Sequence, residues 1–316
     1  MHSILQFALS RFVFTISPQG DLHLPPFIGS TLRGGFGHLL RSAACCTAMP
    51  DCKPCSYQNT CPYHQIFEPS PPPGSTRLSN LSAIPRPFII SPAAQSNSRK
   101  PQDPLVFHLT LIGNIASYLP YFILAFDELG KEGIGRRREK FSLAGVSYLT
   151  PDGSSKTVYT TEERVVYNSW KTTTLQELIR GDKPPANRLV LRFITPTRIK
   201  HGGVFEIAPQ FEDLVRALLR RISALAYFYC GFELELDYKG LIARAGRVDI
   251  AQESLRWEKL QRDSSRQGRK LDISGFLGEI EYVGELSEFY PLLKLGELVG
   301  VGKGASFGLG GYEVVG

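Results

Sequence analysis

The sequence has no uninterrupted apolar run approaching the roughly 18 residues of a membrane-spanning helix. Its first residues, MHSILQFALSRFVFTIS, are apolar but lack a basic start and a small-residue cleavage site, which argues against a secretory leader. The net charge is only +6, with 42% hydrophobic and 21% charged residues, as is typical of a soluble globular chain. We therefore predict a cytoplasmic protein without a membrane partner. Its 316 residues suffice for two domains.

Two common phosphate-binding loops are also missing, although residues 295–315 (LGELVGVGKGASFGLGGYEVV) contain seven glycines, six of which lie between Gly300 and Gly311 around Lys303 and Ser306. A Walker loop is excluded because Gly302-Lys303 is followed by Gly304 and no glycine stands five places before Gly302. A dinucleotide fingerprint is excluded because too little chain follows for its helix and second strand. The segment is interpreted as a glycine-rich loop before a last strand, presenting Lys303 to a polyanion.

Charges are unevenly distributed near the end of the chain. Between Arg256 and Lys270 there are six cations and two anions, whereas Leu271 to Glu297 has six carboxylates and one lysine. Such separation predicts one basic face, a pattern that favours a polyanionic partner.

The first predicted helix runs from Ser30 to Ala44, with Ser30 or Thr31 as its N-cap. It follows a long strand with a bulge, predicted over Ile4–Ser17 from alternating apolar residues, with a phase slip at Arg11. One apolar stripe of the helix is formed by Leu32, Phe36, Leu39, Leu40 and Ala43.

His38 falls opposite that stripe, beside Arg41. A solvated surface histidine is the simpler interpretation. Gly34, Gly35 and Gly37 cost helix stability, however, and we expect them to leave the outer helix surface bare for a ligand. With Arg33 and Arg41 nearby, His38 is predicted to be functional.

Five of the six cysteines follow this helix, and four of them have the spacing C-x5-C-x2-C-x5-C. The four are Cys46, Cys52, Cys55 and Cys61. In a cytoplasmic protein this density favours a metal site over disulfides, and we predict a structural Zn²⁺ that anchors the end of the helix. An iron–sulfur cluster is left open. Cys45 and His64 are reserve ligands.

The remaining chain reads as two copies of a βαββαβ module. In the first, a strand over 105–112 and a helix over 115–129 lead to glycines, the basic run 136–138 and another strand. The second begins with a strand at Arg188 and ends with a helix over 287–299 and a strand over 305–315. We predict an α+β fold of tandem ferredoxin-like (RRM-like) domains, residues 1–185 and 186–316, with a cysteine-rich insertion at about 45–64.

Residues 255–315, including SGFLGEIEYVGELSEFYPLLKLGELVG and GKGASFGLGGYEV, resemble the C-terminal signature of the CRISPR-associated endoribonucleases that process precursor crRNA, the Cas6 type of the RAMP superfamily. The resemblance implies metal-independent cleavage of repeat RNA by 2′-OH attack, leaving a 2′,3′-cyclic phosphate and a 5′-OH, with no cofactor needed for catalysis. It also implies a catalytic histidine on the first helix and a cleft that collects cations from both modules.

His38, His201 and Lys303 are the predicted catalytic residues, the last two as acid and charge stabiliser. Tyr63 is a weaker candidate. The family pattern of a lysine about two turns beyond the histidine and a tyrosine before it is not matched, since Ala44 stands six residues on. The predicted RNA-binding residues are Arg33, Arg41, Arg136, Arg137, Arg138, Arg198, Lys200, Ser306 and Phe307.

Two other functions are weighed against cleavage. One is a non-catalytic RNA-binding subunit of a CRISPR effector complex. The other, a DNA-binding zinc protein, is disfavoured because the cysteine spacing lacks the second ligand pair of a recognition finger. The predicted partner is CRISPR repeat RNA or precursor crRNA, with subunits of a type I or III effector complex and a homodimer left open.

Overall fold

The computed structural model describes residues 2–47, 49–52, 54–79, 83–93, 100–264 and 268–315. Lys53, which stands between Cys52 and Cys55, and residues 265–267 of the basic stretch lie outside these ranges. The chain forms two compact units. The N-terminal unit comprises Ala8–Thr173 and Phe228–Cys230, and the C-terminal unit comprises Met1–Phe7, Thr174–Tyr227 and Gly231–Gly316. No described helix is both long and apolar enough to cross a membrane.

Helices and strands are interspersed along the chain. In order they are α1 (His2–Leu5), β1 (Ala8–Pro18), α2 (Gly29–Ala44), α3 (Pro62–Phe67), β2 (Phe88–Pro92), β3 (Leu105–Ile112), α4 (Leu119–Glu132), β4 (Phe141–Leu149), β5 (Ser155–Thr160), β6 (Thr173–Thr174), α5 (Leu175–Leu178), β7 (Arg188–Thr197), β8 (Lys200–His201), β9 (Val204–Phe205), α6 (Phe211–Leu225), α7 (Tyr238–Ala245), β10 (Asp249–Glu258), β11 (Gln261–Ser264), β12 (Arg269–Asp272), β13 (Gly275–Val283), α8 (Tyr290–Val299) and β14 (Tyr312–Val315).

The N-terminal unit is a ferredoxin-like βαββαβ module. Its antiparallel sheet has the order β2-β3-β1-β4-β5, and the first four of these strands are the module's own. α2 packs against α4 and β2, and α4 packs against β4. Between helices and sheet lies an aromatic core in which Phe36 stacks on Phe122 with ring centroids 4.5 Å apart. This burial explains the apolar stripe of α2.

The C-terminal unit repeats the topology. Its four-stranded sheet has the order β10-β13-β7-β14, all antiparallel, with α6 and α8 packed together. The buried Tyr282 donates its hydroxyl hydrogen to the Pro209 carbonyl (2.8 Å), and Tyr312 donates to the Leu293 carbonyl (2.7 Å). The predicted class, tandem ferredoxin-like domains in an α+β fold, is confirmed.

Several element ends differ from the sequence-based expectation. Residues 2–5 form α1 rather than the start of a strand, because Ile4 and Phe7 are fully buried in the C-terminal unit, where α1 contacts α5 and α8. β1 begins at Ala8, and its bulge lies between Thr15 and Ile16 rather than at Arg11. Residues 174–185, assigned from sequence to the first domain, also belong to the C-terminal unit.

The start of α2, one residue of its predicted stripe and the start of the last strand also differ. The N-cap of α2 is Ile28, without a side-chain cap hydrogen bond, rather than Ser30 or Thr31. Ala43 of its predicted stripe is exposed. The last strand starts at Tyr312, since Ala305–Phe307 forms a 3-10 turn.

Candidate functional site

His38 lies on the outer face of α2. It is exposed, like Gly34 and Ser42 one turn to either side, whereas Leu39 and Leu40 are buried. The predicted orientation of the imidazole, away from the apolar stripe, is therefore confirmed. An exposed imidazole on a rigid helix can exchange a proton with a bound molecule.

The glycines of α2 serve a different purpose from the predicted one. A Cβ at Gly37 would lie 2.1 Å from the Phe67 ring, and one at Gly35 would lie 2.7 Å from the Leu129 side chain. Gly34 alone of the three faces open space. Gly35 and Gly37 thus allow close packing of α3 and α4 on the inner side of the helix, and the idea that all three bare its outer surface is wrong.

Arg33 and Arg41 are held by aromatic rings of α3. The Arg33 guanidinium carbon lies 4.4 Å from the Phe67 ring centroid, and that of Arg41 lies 5.6 Å from the Tyr63 centroid. Arg41 also donates a hydrogen bond to the Met49 carbonyl. Through these contacts both arginines help to hold α2 against α3, and Arg41 also binds the cysteine-rich segment.

Five cysteines and His64 line one small pocket after α2. The Thr47 hydroxyl lies 3.9 Å from the sulfur of Cys45 and 3.7 Å from that of Cys55. Burial and the nearby Glu68 carboxylate raise the pKa of the Cys52 thiol to about 11, and the neighbouring Cys61 and Cys45 act in the same direction. Cys46 is the exposed member of the group.

The basic run 136–138 lies in the turn between α4 and β4. Arg136, Arg137 and Arg138 are all exposed, and Arg138 has a positive φ of 53°. Arg137 and Arg138 lie within 4.0 Å and 3.7 Å of the carboxylates of Glu139 and Glu132, respectively. The Arg137 and Arg138 side chains are 70% and 65% exposed, so solvent screening weakens both pairs and the turn remains a basic surface.

A histidine that the sequence analysis missed adjoins this turn. His23 Nδ1 lies 2.9 Å from Glu139 Oε1, and the His23 backbone N–H donates to Oε2 at 2.6 Å. Although desolvation opposes it, these hydrogen bonds lower the pKa of Glu139. His23 lies in a loop and belongs to no periodic pattern, so the sequence alone does not indicate its position.

In the C-terminal unit, three predicted cations meet at one aromatic ring. The ring is Phe205 on β9, and its centroid lies 4.9 to 5.6 Å from the three charged groups. The three are Arg198, Lys200 and Lys303. We call these four residues the Phe205 cluster. Lys200 and Lys303 are exposed, whereas the Arg198 side chain is 11% exposed and bonded to Asp272.

The glycine-rich loop brings Lys303 to this cluster. Gly302 and Gly310 have φ angles of 75° and 72°, and added Cβ atoms would lie 2.2 Å from the Arg198 carbonyl and 1.8 Å from the Val301 carbonyl. The loop closes through hydrogen bonds from Val301 to Gly310 (2.9 Å) and from Gly310 to Pro196 (3.1 Å). Glycine is required here for backbone conformation and close approach to the end of β7.

Two other predicted contacts near the loop are less open. Ser306 is buried at 9% exposure. Phe307 is half-buried, and the Arg262 guanidinium carbon lies 5.3 Å from its ring centroid. Burial lowers the pKa of Arg262, a residue that the sequence analysis covered only as part of a basic stretch.

His201 sits on β8 beside a buried carboxylate. Its Nδ1 lies 3.0 and 3.1 Å from the two oxygens of Asp213, whose side chain is 7% exposed. The hydrogen bond and charge of Asp213, with a further contribution from Glu206, raise the pKa of His201. An exposed imidazolium held in one orientation can donate a proton from Nε2.

His201, Glu206 and Asp213 also form the one described group of three or more potential ligands whose donor atoms all lie within 4.8 Å of one another. They could hold a cation in place of a proton. The cysteine sulfurs of the described chain do not meet that spacing.

Solved structures of other proteins resemble this one. A likeness to solved structures covers almost the whole chain: a Cas6 product complex (TM-score 0.59, 18% identity, 97% of this chain and 100% of that one) and Thermus thermophilus Cas6 (0.54, 16%, 98% and 99%). The fold is thus that of proteins with two ferredoxin-like modules in tandem.

Sequence families match both halves. Residues 6–171, more than half of the chain, match the family AF_1859_N, an N-terminal domain, and residues 191–312 match the CRISPR-associated endoribonuclease Cas6. An "Uncharacterized protein" of Archaeoglobus fulgidus is 27% identical over 299 residues, covering 92% of this chain and 93% of that protein. The chain belongs to the family defined by the AF_1859_N domain, and its C-terminal part, residues 191–312, matches the CRISPR-associated endoribonuclease Cas6.

Proposed function

We propose that the protein binds CRISPR repeat RNA and cleaves it by metal-independent transesterification, so maturing precursor crRNA. The observation that carries this proposal is the Cas6 family match over residues 191–312, a range that contains the entire Phe205 cluster. A group of three cations around one ring, two of them exposed, suits a phosphate backbone, which supplies most of the affinity in RNA recognition.

Cleavage requires a base for the ribose 2′-OH, an acid for the departing 5′ oxygen and positive charge at the phosphate. We assign proton abstraction to the exposed imidazole of His38 on α2. The His201–Asp213 pair suits the acid, because its imidazolium is stabilised by the carboxylate. We assign to Lys303 the stabilisation of negative charge on the phosphate during cleavage.

The test is a cleavage assay on labelled repeat RNA in excess chelator. We expect cleavage to persist, to give 2′,3′-cyclic phosphate and 5′-OH ends, and to stop when the 2′-OH at the scissile position is removed. His38→Ala should abolish cleavage and preserve RNA binding. His2→Ala, which changes an exposed histidine of α1, is the matched control and should cleave normally.

Loss of cleavage in chelator, restored by Mg²⁺ or Mn²⁺, would contradict metal independence and point to a cation at His201, Glu206 and Asp213. In that event His201→Ala should abolish the metal response.

A second function is favoured by one observation in the sequence. Ala44 stands where the family pattern has a lysine, and no tyrosine occurs in residues 25–37. A protein that keeps the basic surface without that pattern could hold RNA as a non-catalytic subunit. RNA that is bound tightly but stays intact in every buffer would establish this function and refute cleavage.

A further inference from the structure

The cysteine-rich segment has almost nothing of its own to keep it folded. Residues 46–61 contain no described helix or strand, and none of the described residues among them is buried. Met49 and Tyr57 are exposed there. A segment without a hydrophobic core needs a crosslink, and thiolate ligands to a metal ion provide one.

The sulfur atoms surround one pocket that also contains the end of α2. Cys45 is the C-cap of α2, Cys55 reaches it through the Thr47 hydroxyl, and the sulfur of Cys61 lies 4.0 Å from the carbonyl of Ala44 in the last turn of the helix. Cys52 lines the same pocket, and a backbone hydrogen bond from Cys55 to the Cys52 carbonyl (3.1 Å) closes the turn between them. Cys45 therefore has contacts toward the other thiols that Cys46 lacks among the described atoms.

We propose that Cys45, Cys52, Cys55 and Cys61 bind one structural Zn²⁺, and that Cys46 is not a ligand. Four thiolates complete a tetrahedral site, and the spacing of two residues between Cys52 and Cys55 is one at which a pair of sulfurs can bind one ion. The assignment replaces Cys46, the ligand predicted from sequence, with its neighbour. The ion ties the C-terminal end of α2 to the start of α3, where Cys61 is the N-cap.

The sulfurs stand further apart than in a closed site, since no three described donor atoms of the group lie within 4.8 Å of one another. Zinc–sulfur bonds of about 2.3 Å would draw them together. Metal binding is thus expected to contract the segment, which gives the proposal a readout independent of RNA cleavage.

His64 is the other ligand that the pocket offers. It is 6% exposed, its Nε2 lies 3.1 Å from the Ser70 hydroxyl, and its buried Nδ1 has no hydrogen-bond partner in the described structure. We place it outside the ligand set because the four thiolates already fill a tetrahedral site. His64→Ala tests that choice.

The experiment measures metal content by elemental analysis in protein purified without a metal-affinity step. We expect one zinc per chain in the natural sequence, in Cys46→Ser and in His64→Ala, and less than a tenth of that in Cys45→Ser. Zinc loss in Cys46→Ser or His64→Ala with retention in Cys45→Ser would overturn the assignment. Iron with a visible charge-transfer band would overturn zinc.

A second measurement uses the unmodified protein, because Cys45→Ser could fail to fold. Brief maleimide labelling followed by peptide mapping should mark Cys46 at once, and the four ligands only after a chelator is added. Limited proteolysis within residues 46–61 should accelerate at least tenfold on chelation. Simultaneous labelling of all five thiols, or a mass that reveals disulfides, would refute a metal site.

Discussion

At the residue scale, the charge of His201 depends on a carboxylate that water barely reaches. Asp213 accepts from Nδ1 while its own side chain is 7% exposed, so the charged imidazolium is favoured and the ring is fixed in one orientation. In the sequence, His201 directly follows Lys200 in a short basic segment. The sequence cannot show Asp213 as its partner, since the two meet only after β8 and α6 have packed.

We predict that Asp213→Asn lowers the pKa of His201, because the amide cannot stabilise the imidazolium as a carboxylate does. The measurement is an NMR titration of the His201 ring resonances, with Glu206→Gln as a control expected to give a smaller fall. An unchanged pKa in Asp213→Asn would contradict the pairing.

The same pair has a consequence for stability. The pKa of His201 is raised above 6.5 in the folded protein. The stabilisation of the folded state by the His201–Asp213 pair is therefore fully present below pH 6.5, and it is lost as the pH rises through the pKa of His201 in the folded protein. The difference in the free energy of unfolding between the natural protein and Asp213→Asn should therefore shrink from pH 6 to pH 9. Urea denaturation across this range is the measurement, and a difference that grows with pH would be inconsistent with a raised pKa of His201 in the folded protein.

Lys303 is expected to act through phosphate contact. Lys303→Ala should weaken repeat-RNA binding and reduce the slope of log Kd against log salt by about 1, as expected when one phosphate contact is lost. Lys239→Ala, an exposed lysine on α7 of the same unit, is the matched control. Fluorescence anisotropy over a salt series is the measurement; equal slopes for both variants would place Lys303 outside the RNA interface.

At the element scale, α2 shows how a pattern can predict a helix and still mislead about its details. The 3.6-residue spacing of Leu32, Phe36, Leu39 and Leu40 predicted both the helix and the outward direction of His38, and the structure agrees. The prediction that its glycines bare the outer surface was wrong, because sequence alone does not show which side chains of other elements pack against them. Only the packed structure shows the Phe67 ring against Gly37.

We predict opposite effects from two alanine substitutions in this helix. Gly37→Ala should cost about 1–3 kcal/mol, since its Cβ would lie 2.1 Å from the Phe67 ring and overpack the contact with α3. Gly34→Ala meets open space and should add up to about 1 kcal/mol of stability through helix propensity. Urea unfolding of both variants is the measurement. A stabilised Gly37→Ala would mean that α3 does not pack as described.

At the scale of the whole molecule, the sequence predicted the two-module plan well. Period-two and period-3.6 patterns are local, so they indicated the core strands and helices of both modules, and sheet order then follows from the ferredoxin-like topology. Long-range pairing is not local. The packing of Ile4 and Phe7 in the C-terminal unit, and the meeting of Lys303 with Phe205, depend on residues far apart in the chain.

The membership of residues 1–7 in the C-terminal unit is testable. Phe7→Ala should cost about 3–5 kcal/mol, because a fully buried ring leaves a cavity. Hydrogen exchange should locate the loss of protection in the C-terminal unit, including α8, which α1 contacts. His2→Ala, at an exposed position of α1, should leave exchange unchanged. A loss of exchange protection confined to residues 8–173 would contradict the assignment of Phe7 to the C-terminal unit.

The position of α1 also bears on how the protein is made. The segment that carries Ile4 and Phe7 leaves the ribosome before α5 and α8, which emerge only after residues 8–173 have been translated. Throughout that interval two large apolar side chains have no native surface to cover them, and they are free to bind a chaperone or another nascent chain. Slowing elongation should therefore prolong the most aggregation-prone stage of biosynthesis.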